Sequence, residues 1–160
     1  MDINWSYKNK SHVFDIKDST GVPYLSFKAL DDTGLAVNGF STRMGGASRG
    51  KFSTMNFSYS RGDAAEDVLE NFTRMAAALG VERDRMVVSH QTHTVNLRRV
   101  TQEDAGKGVV RERDYRDIDG LITDVPGLTL VTFYADCVPL YLLDPVNRAI
   151  GLSHSGWRGT

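Results

Sequence analysis

The sequence predicts an α+β fold with a mixed or antiparallel β-sheet. Two observations lead there: a series of short apolar, β-branched segments bounded by turn residues, and one long segment with the helical period. The segments follow one another as hairpins rather than as alternating strand–helix units. Residues 22–30 and 34–40 read as a strand pair around the turn DDTG (31–34), and a glycine-rich loop with two arginines, STRMGGASRG (41–50), follows. Between residues 64 and 79, Val68, Leu69, Phe72, Met75, Ala76 and Leu79 recur on one helical face. Asp63 is the expected N-cap, Glu66 stands at the capping-box position, and Gly80 is the stop. Further strands are expected at 86–88, 95–100, 121–123, 128–134, 138–143 and 148–153, with a charged loop from 102 to 116.

A chain of 160 residues with 41% hydrophobic and 24% charged residues has room for one domain with one core, so residues 1–160 are read as a single domain. Its 19 Lys plus Arg against 20 Asp plus Glu leave a net charge of −1, without a basic block that would attract nucleic acid or an anionic membrane. The expected partner is therefore a small molecule. No secretory leader is visible in MDINWSYKNK, and the longest apolar stretch (128–143) is interrupted by Asp136 and too short to span a bilayer. A cytoplasmic protein is expected, and its single cysteine, Cys137, is then either a buried small hydrophobe or a reactive or metal-binding thiol.

The apolar runs on either side of DPVN (144–147) predict a hairpin that aligns Asp144 with Asn147 and, at its far end, Cys137 with His154. Residues opposed in this way hold their Cβ atoms roughly 4.5 to 5.5 Å apart, close enough for a thiolate and an imidazole to share one metal ion. A single bulge would break that register. A third ligand must come from elsewhere: His93 in SHQTHT (89–94) leads into an apolar strand, and His90 competes with it, while His12 lies in a polar N-terminal segment.

Six blocks, STRMGGAS (41–48), MNFS (55–58), HQTH (90–93), DGLITDVPGL (119–128), ADCVPLYLLDP (135–145) and HSGWRGT (154–160), together resemble the laccase-domain proteins. That family is known variously as multicopper polyphenol oxidoreductases, peptidoglycan editing factors, and purine nucleoside phosphorylases with adenosine deaminase activity. The resemblance implies a sandwich-like β core flanked by helices and a zinc site formed by His93, Cys137 and His154. It selects His93 over His90, and places purine nucleosides (adenosine, inosine, guanosine, methylthioadenosine) and phosphate in the site. Family members continue well past the last block, and Gly156, Gly159 and a possible helix cap at Thr160 suggest that an element should begin there. The expectation is a C-terminally truncated form of a larger single domain.

Two imidazoles and a thiolate leave a fourth zinc position open, the pattern of a catalytic ion. Cys137, His93, His154 and Arg43 form the expected catalytic set. Arg43, in a loop able to present backbone N–H groups, is the expected anchor for phosphate or ribose, with Arg158 as a second. Asn56 and Asp119 complete the expected substrate contacts, Asp119 and Asp136 are candidate acids or bases, and Trp157 either stacks on a base or simply packs. Three other readings compete. A copper polyphenol oxidase would use the same His₂Cys set, but only His12 and His90 remain to hold further coppers. A metal-free cysteine hydrolase acting on cell-wall precursors would use Cys137 as nucleophile with His154 or His93 as base. A binding domain with a buried thiol is the third. The oligomeric state is not set by the sequence.

Overall fold

A computed structural model describes Ser6 and residues 12–157. Within it the chain is α+β, with nine strands in three sheets. The first sheet is antiparallel and runs β1 (Phe14–Lys17), β2 (Tyr24–Phe27), β3 (Phe40–Ser41). The second is a parallel pair of β4 (Met86–Val88) and β7 (Thr129–Val131). The third has the order β5 (Leu97–Arg99), β6 (Gly120–Thr123), β9 (Ala149–Ser155), β8 (Val138–Asp144); β5 and β6 are parallel and the other neighbours antiparallel. Both parallel pairs join strands at least twenty residues apart, and the four-stranded sheet, which combines parallel and antiparallel neighbours, is mixed as the sequence predicts.

The N-terminal strand pair differs from expectation. Residues 28–31 form a one-turn helix, α1 (Lys28–Asp31), instead of extending the strand. Asp31 explains the change, because its carboxylate accepts hydrogen bonds from Ser26 Oγ (2.7 Å) and Asn38 Nδ2 (2.8 Å) and so draws the chain back on itself. Strand β2 pairs with β1, which was not foreseen, and of the second predicted run only Phe40 pairs with it, joined by Ser41 from the following loop.

The predicted helix forms as α2 (Ala65–Leu79), and Gly80 ends it in the left-handed conformation (φ 69°). Its N-terminus is a correction: Ala64 is the N-cap, with no side-chain cap. Asp63 is engaged elsewhere, accepting from Asn56 Nδ2 (2.9 Å) and from Ala64 N–H (3.0 Å), so no capping box with Glu66 forms. One helical face buries Val68, Phe72 and Ala76 against Met86 and Val88, and Met75 and Ala78 against Val22 and Met55. Asn71, fully buried on the same helix, donates to Ser48 Oγ and Asn56 O and accepts from Ala47 N–H, which ties the glycine-rich loop to the helix. A third cluster, Val87, Val100, Leu121, Leu130 and Leu152, joins the parallel pair β4–β7 to the four-stranded sheet. Phe72→Ala should cost about 3 to 5 kcal/mol in urea unfolding, as expected for truncating a fully buried aromatic side chain.

Strands β8 and β9 form the expected hairpin, but in a different register. Asp144 pairs with Ala149 and Pro139 with His154, and residues 145–148 make the turn. The Asp144 carboxylate accepts N–H groups from Val146 and Asn147, and Arg148 takes a positive φ (52°), so the loop holds four residues where two were expected. Because the pleat repeats every two residues, the two-residue shift leaves Cys137 on the side of His154, diagonal to it instead of opposite.

Beyond β5, a 3₁₀ turn carries a capping box between Thr101 and Asp104. Asp104 is buried and meets Lys107 Nζ (2.7 Å) and Arg98 Nη2 (3.1 Å). Burial pushes its carboxyl up, yet the ammonium of Lys107, the N–H of Thr101 and the guanidinium of Arg98 outweigh that and bring it to about 2. A lowered carboxylate stabilises the fold above its unfolded value of 3.8, and this contribution, on the order of 2 kcal/mol, is lost as pH falls from about 4 through 2. Urea titrations between pH 7 and 2 should show this loss in the native chain, and a smaller pH dependence in Asp104→Asn.

Candidate metal centre

The sequence brings three chemistry-bearing segments to one end of the four-stranded sheet. Strand β9 carries His154, buried near the C-terminal end of the strand. The chain just before β8 carries Cys137, half-buried. The loop before β5 carries His93, exposed and held at φ 64°. One ligand atom from each lies within 4.8 Å of the others. His93 Nε2 and Cys137 Sγ are 3.8 Å apart, and the two imidazoles meet edge to face with centroids 4.8 Å apart. Zinc ligands at 2.0 to 2.3 Å in a tetrahedron stand roughly 3.5 Å from one another, so the donor set needs only a small inward adjustment to hold such an ion.

Beneath the cluster lies Asp119, 1% exposed and immediately before β6. Its Oδ1 accepts the N–H of His93 (2.9 Å) and Nδ1–H of His154 (2.9 Å). Its Oδ2 accepts the N–H groups of Thr92 and Thr94 and the Thr94 hydroxyl, each at 3.0 Å. Burial raises its carboxyl, and these donors more than offset the effect, bringing it to about 2. The Asp119 carbonyl accepts the His154 N–H at 2.8 Å, which places the two residues side by side. Asp119 thus stands behind the cluster, and not on the exposed side where a substrate would approach.

Gly156 was missed as a functional position. A Cβ there would lie 3.0 Å from His93 Cδ2, 3.7 Å from His154 Cε1 and 3.8 Å from Cys137 Sγ, so its missing side chain keeps the centre of the cluster clear. The glycine of the HSG block was the available signal. Tyr134 was also missed; its ring lies 5.8 Å from that of His154, and burial raises its phenol. It connects the cluster with a neighbouring cavity of about 380 Å³ lined by Arg43, Asn56, Phe57 and Met55.

Arg43 and Asn56 line this cavity, apart from His93, Cys137 and His154. The exposed Arg43 guanidinium donates to Ser53 O (2.9 Å). Asn56 caps a turn, donating to Asp63 and Ser58 O and accepting the Ser58 N–H. The glycine-rich loop does not offer the row of free amides expected of it: the N–H groups of Met44, Gly46, Ala47 and Ser48 all bond within the protein. Its glycines serve close packing, since a Cβ at Gly46 would lie 2.0 Å from the Thr54 carbonyl oxygen and one at Gly45 would lie 2.4 Å from the Gly21 oxygen. His90 accepts the Asp117 N–H on Nδ1 and bridges to Ile118, outside the cluster. Asp136 is exposed at φ 75°, and Trp157 is 86% exposed. Arg158 and Thr160 lie outside the described residues.

Residues 37–160 match the family model described as multi-copper polyphenol oxidoreductase laccase. A relative from Geobacillus stearothermophilus, named purine nucleoside phosphorylase YlmD, is 39% identical over 129 residues, which cover 78% of this chain and 46% of that one. The protein of the same name from Bacillus subtilis is 35% identical over 128 residues, covering 78% and 45%. A crystal structure of the Bacillus licheniformis hypothetical protein YfiH superposes with a TM-score of 0.81 at 32% identity, over 93% of this chain and 54% of that one. The chain spans about half the length of the relatives it matches. Gly156→Val, which would place a branched side chain among the three ligand atoms, should abolish high-affinity zinc binding in calorimetry while leaving the unfolding midpoint of the metal-free protein close to that of the wild type.

Proposed function

The chain belongs to the multi-copper polyphenol oxidoreductase laccase family, and from that membership and the His93–Cys137–His154 cluster we propose that it is a zinc-dependent purine nucleoside phosphorylase of the cytoplasm, built as a single laccase-like domain. The observation that carries this reading is the convergence of two imidazoles and one thiol within 4.8 Å, with an exposed side at His93. The names of the relatives support the choice of substrate. Its substrates are adenosine, inosine, guanosine and methylthioadenosine. A phosphate oxygen forms a bond to the anomeric carbon of the ribose as the bond to the purine nitrogen breaks, releasing free base and ribose 1-phosphate. Adenosine deamination, in which water replaces the exocyclic amine and ammonia leaves, is the second reaction assigned to the same centre.

Zinc held by His93, Cys137 and His154 would supply a Lewis acid and a bound water acidified toward ~7. The protein side of the reaction falls to groups around it. Arg43 uses one N–H on the Ser53 carbonyl and keeps the rest of its fork available for a phosphate or ribose oxygen. Asn56 shapes the wall on which Arg43 sits, because its side chain is committed to Ser58 and Asp63. Arg158, in the same sequence block as His154, is kept as a second anion contact. The thiol–imidazole contact of 3.8 Å also favours a second reading, a cysteine hydrolase with Cys137 as nucleophile.

Release of free base from adenosine and inosine by the zinc-loaded chain decides between them. Base release should depend on phosphate and should fall by about two orders of magnitude or more in Cys137→Ala, because loss of a ligand exceeds the cost of losing a residue that merely supports one. Equal rates in that variant, or no base release at all, would overturn the phosphorylase assignment. Alkylation of Cys137 that zinc blocks and magnesium does not would set the hydrolase reading aside.

A further inference from the structure

On the basis of the zinc-site reading above, we propose that Asp119 is a positioning residue that fixes both histidines of the cluster at once, setting the tautomer of His154 and the backbone of His93, instead of contacting substrate. Its carboxylate is 1% exposed and already receives five hydrogen bonds, which leaves no face for a ligand. An ionised carboxylate can only accept. His154 must therefore carry its proton on Nδ1, and the Nε2 lone pair is left to face the cluster.

The second half of the argument concerns His93. A non-glycine residue at φ 64° is strained in its left-handed backbone and needs support from its surroundings. That support is the row of N–H groups from Thr92, His93 and Thr94, all aimed at one carboxylate, an arrangement in which successive amides enclose an anion. The same oxygen, Oδ1, serves both the His93 amide and the His154 ring, so a displacement of Asp119 is felt by both ligands together. The main chain locks the arrangement: Asp119 N–H donates to Asn96 O (3.0 Å) and Asp119 O accepts the His154 N–H (2.8 Å).

The test uses the 160-residue chain, cobalt(II) as a spectroscopic probe, and three proteins: wild type, Asp119→Asn and Thr94→Val. In the metal-free wild type, nitrogen-15 NMR should show His154 protonated on Nδ1. In Asp119→Asn that signature should be lost, cobalt affinity read from thiolate charge-transfer absorption should fall about 10- to 100-fold, and kcat for inosine should fall while KM changes little. Thr94→Val removes one of the five bonds and keeps the charge, and should weaken cobalt in the same direction by less. A folded Asp119→Asn that binds cobalt as the wild type does overturns the proposal, as does a kcat unchanged with KM raised, which would make Asp119 a substrate contact. Should Asp119→Asn fail to fold, the wild-type spectrum decides alone, since a His154 protonated on Nε2 overturns the assignment. A wild type that does not bind cobalt removes the zinc-site reading, and the same NMR measurement still judges Asp119.

Discussion

A carboxylate almost wholly removed from water stays ionised only if enough donors surround it, and Asp119 meets that requirement with three backbone amides, a hydroxyl and an imidazole. The donors come from residues 92–94 and from residue 154, segments that lie on opposite sides of β6 in the chain. The parallel pairing of β5 with β6 and the antiparallel pairing of β6 with β9 bring them to one place. Removing this carboxylate would leave uncompensated amides under the cluster, so the local fold and the proposed site share one electrostatic foundation.

Around that foundation the rest of the molecule divides its work. The helix α2 supplies bulk apolar burial through Phe72, Val68 and Met75, and its buried Asn71 reaches out to hold the loop that bears Arg43. The cavity next to the cluster is therefore walled by side chains whose positions are fixed from the helix on one side and from the strands β7 and β9 on the other. No helix among the described residues is long and apolar enough to cross a membrane.

Much of this arrangement can be read from the chain, and the failures have identifiable physical causes. Strand positions β4 to β9 and the body of α2 follow from periodicity, which depends on local side-chain alternation. The N-cap of α2 could not be read this way, because Asp63 had a choice between the helix amides and Asn56, and tertiary contacts settled it. The glycine-rich loop looked like an anion cradle because glycine permits both exposed amides and close backbone approach; only the packing against Thr54 and Gly21 distinguishes them. The grouping of His93, Cys137 and His154 was legible from the family blocks and, for Cys137 and His154, from the hairpin, although its register lies two residues from the expected one. The role of Asp119 was not, since a single acidic residue in sequence carries no sign of how many amides will fold toward it.

The hairpin of β8 and β9 has one further consequence. A strand advances about 3.3 to 3.4 Å per residue, so a slip of two positions, the smallest that preserves the buried face, would in one direction carry the sulfur of Cys137 nearly 7 Å further from His154 and in the other set the two residues directly across from each other. Apolar burial alone discriminates poorly between such alternatives, because Tyr141 and Leu143 would still point inward. An ion bridging sulfur and imidazole would disfavour one direction of slippage and not the other, so alignment of the two strands falls to the turn at 145–148, where the Asp144 carboxylate gathers the amides of Val146 and Asn147.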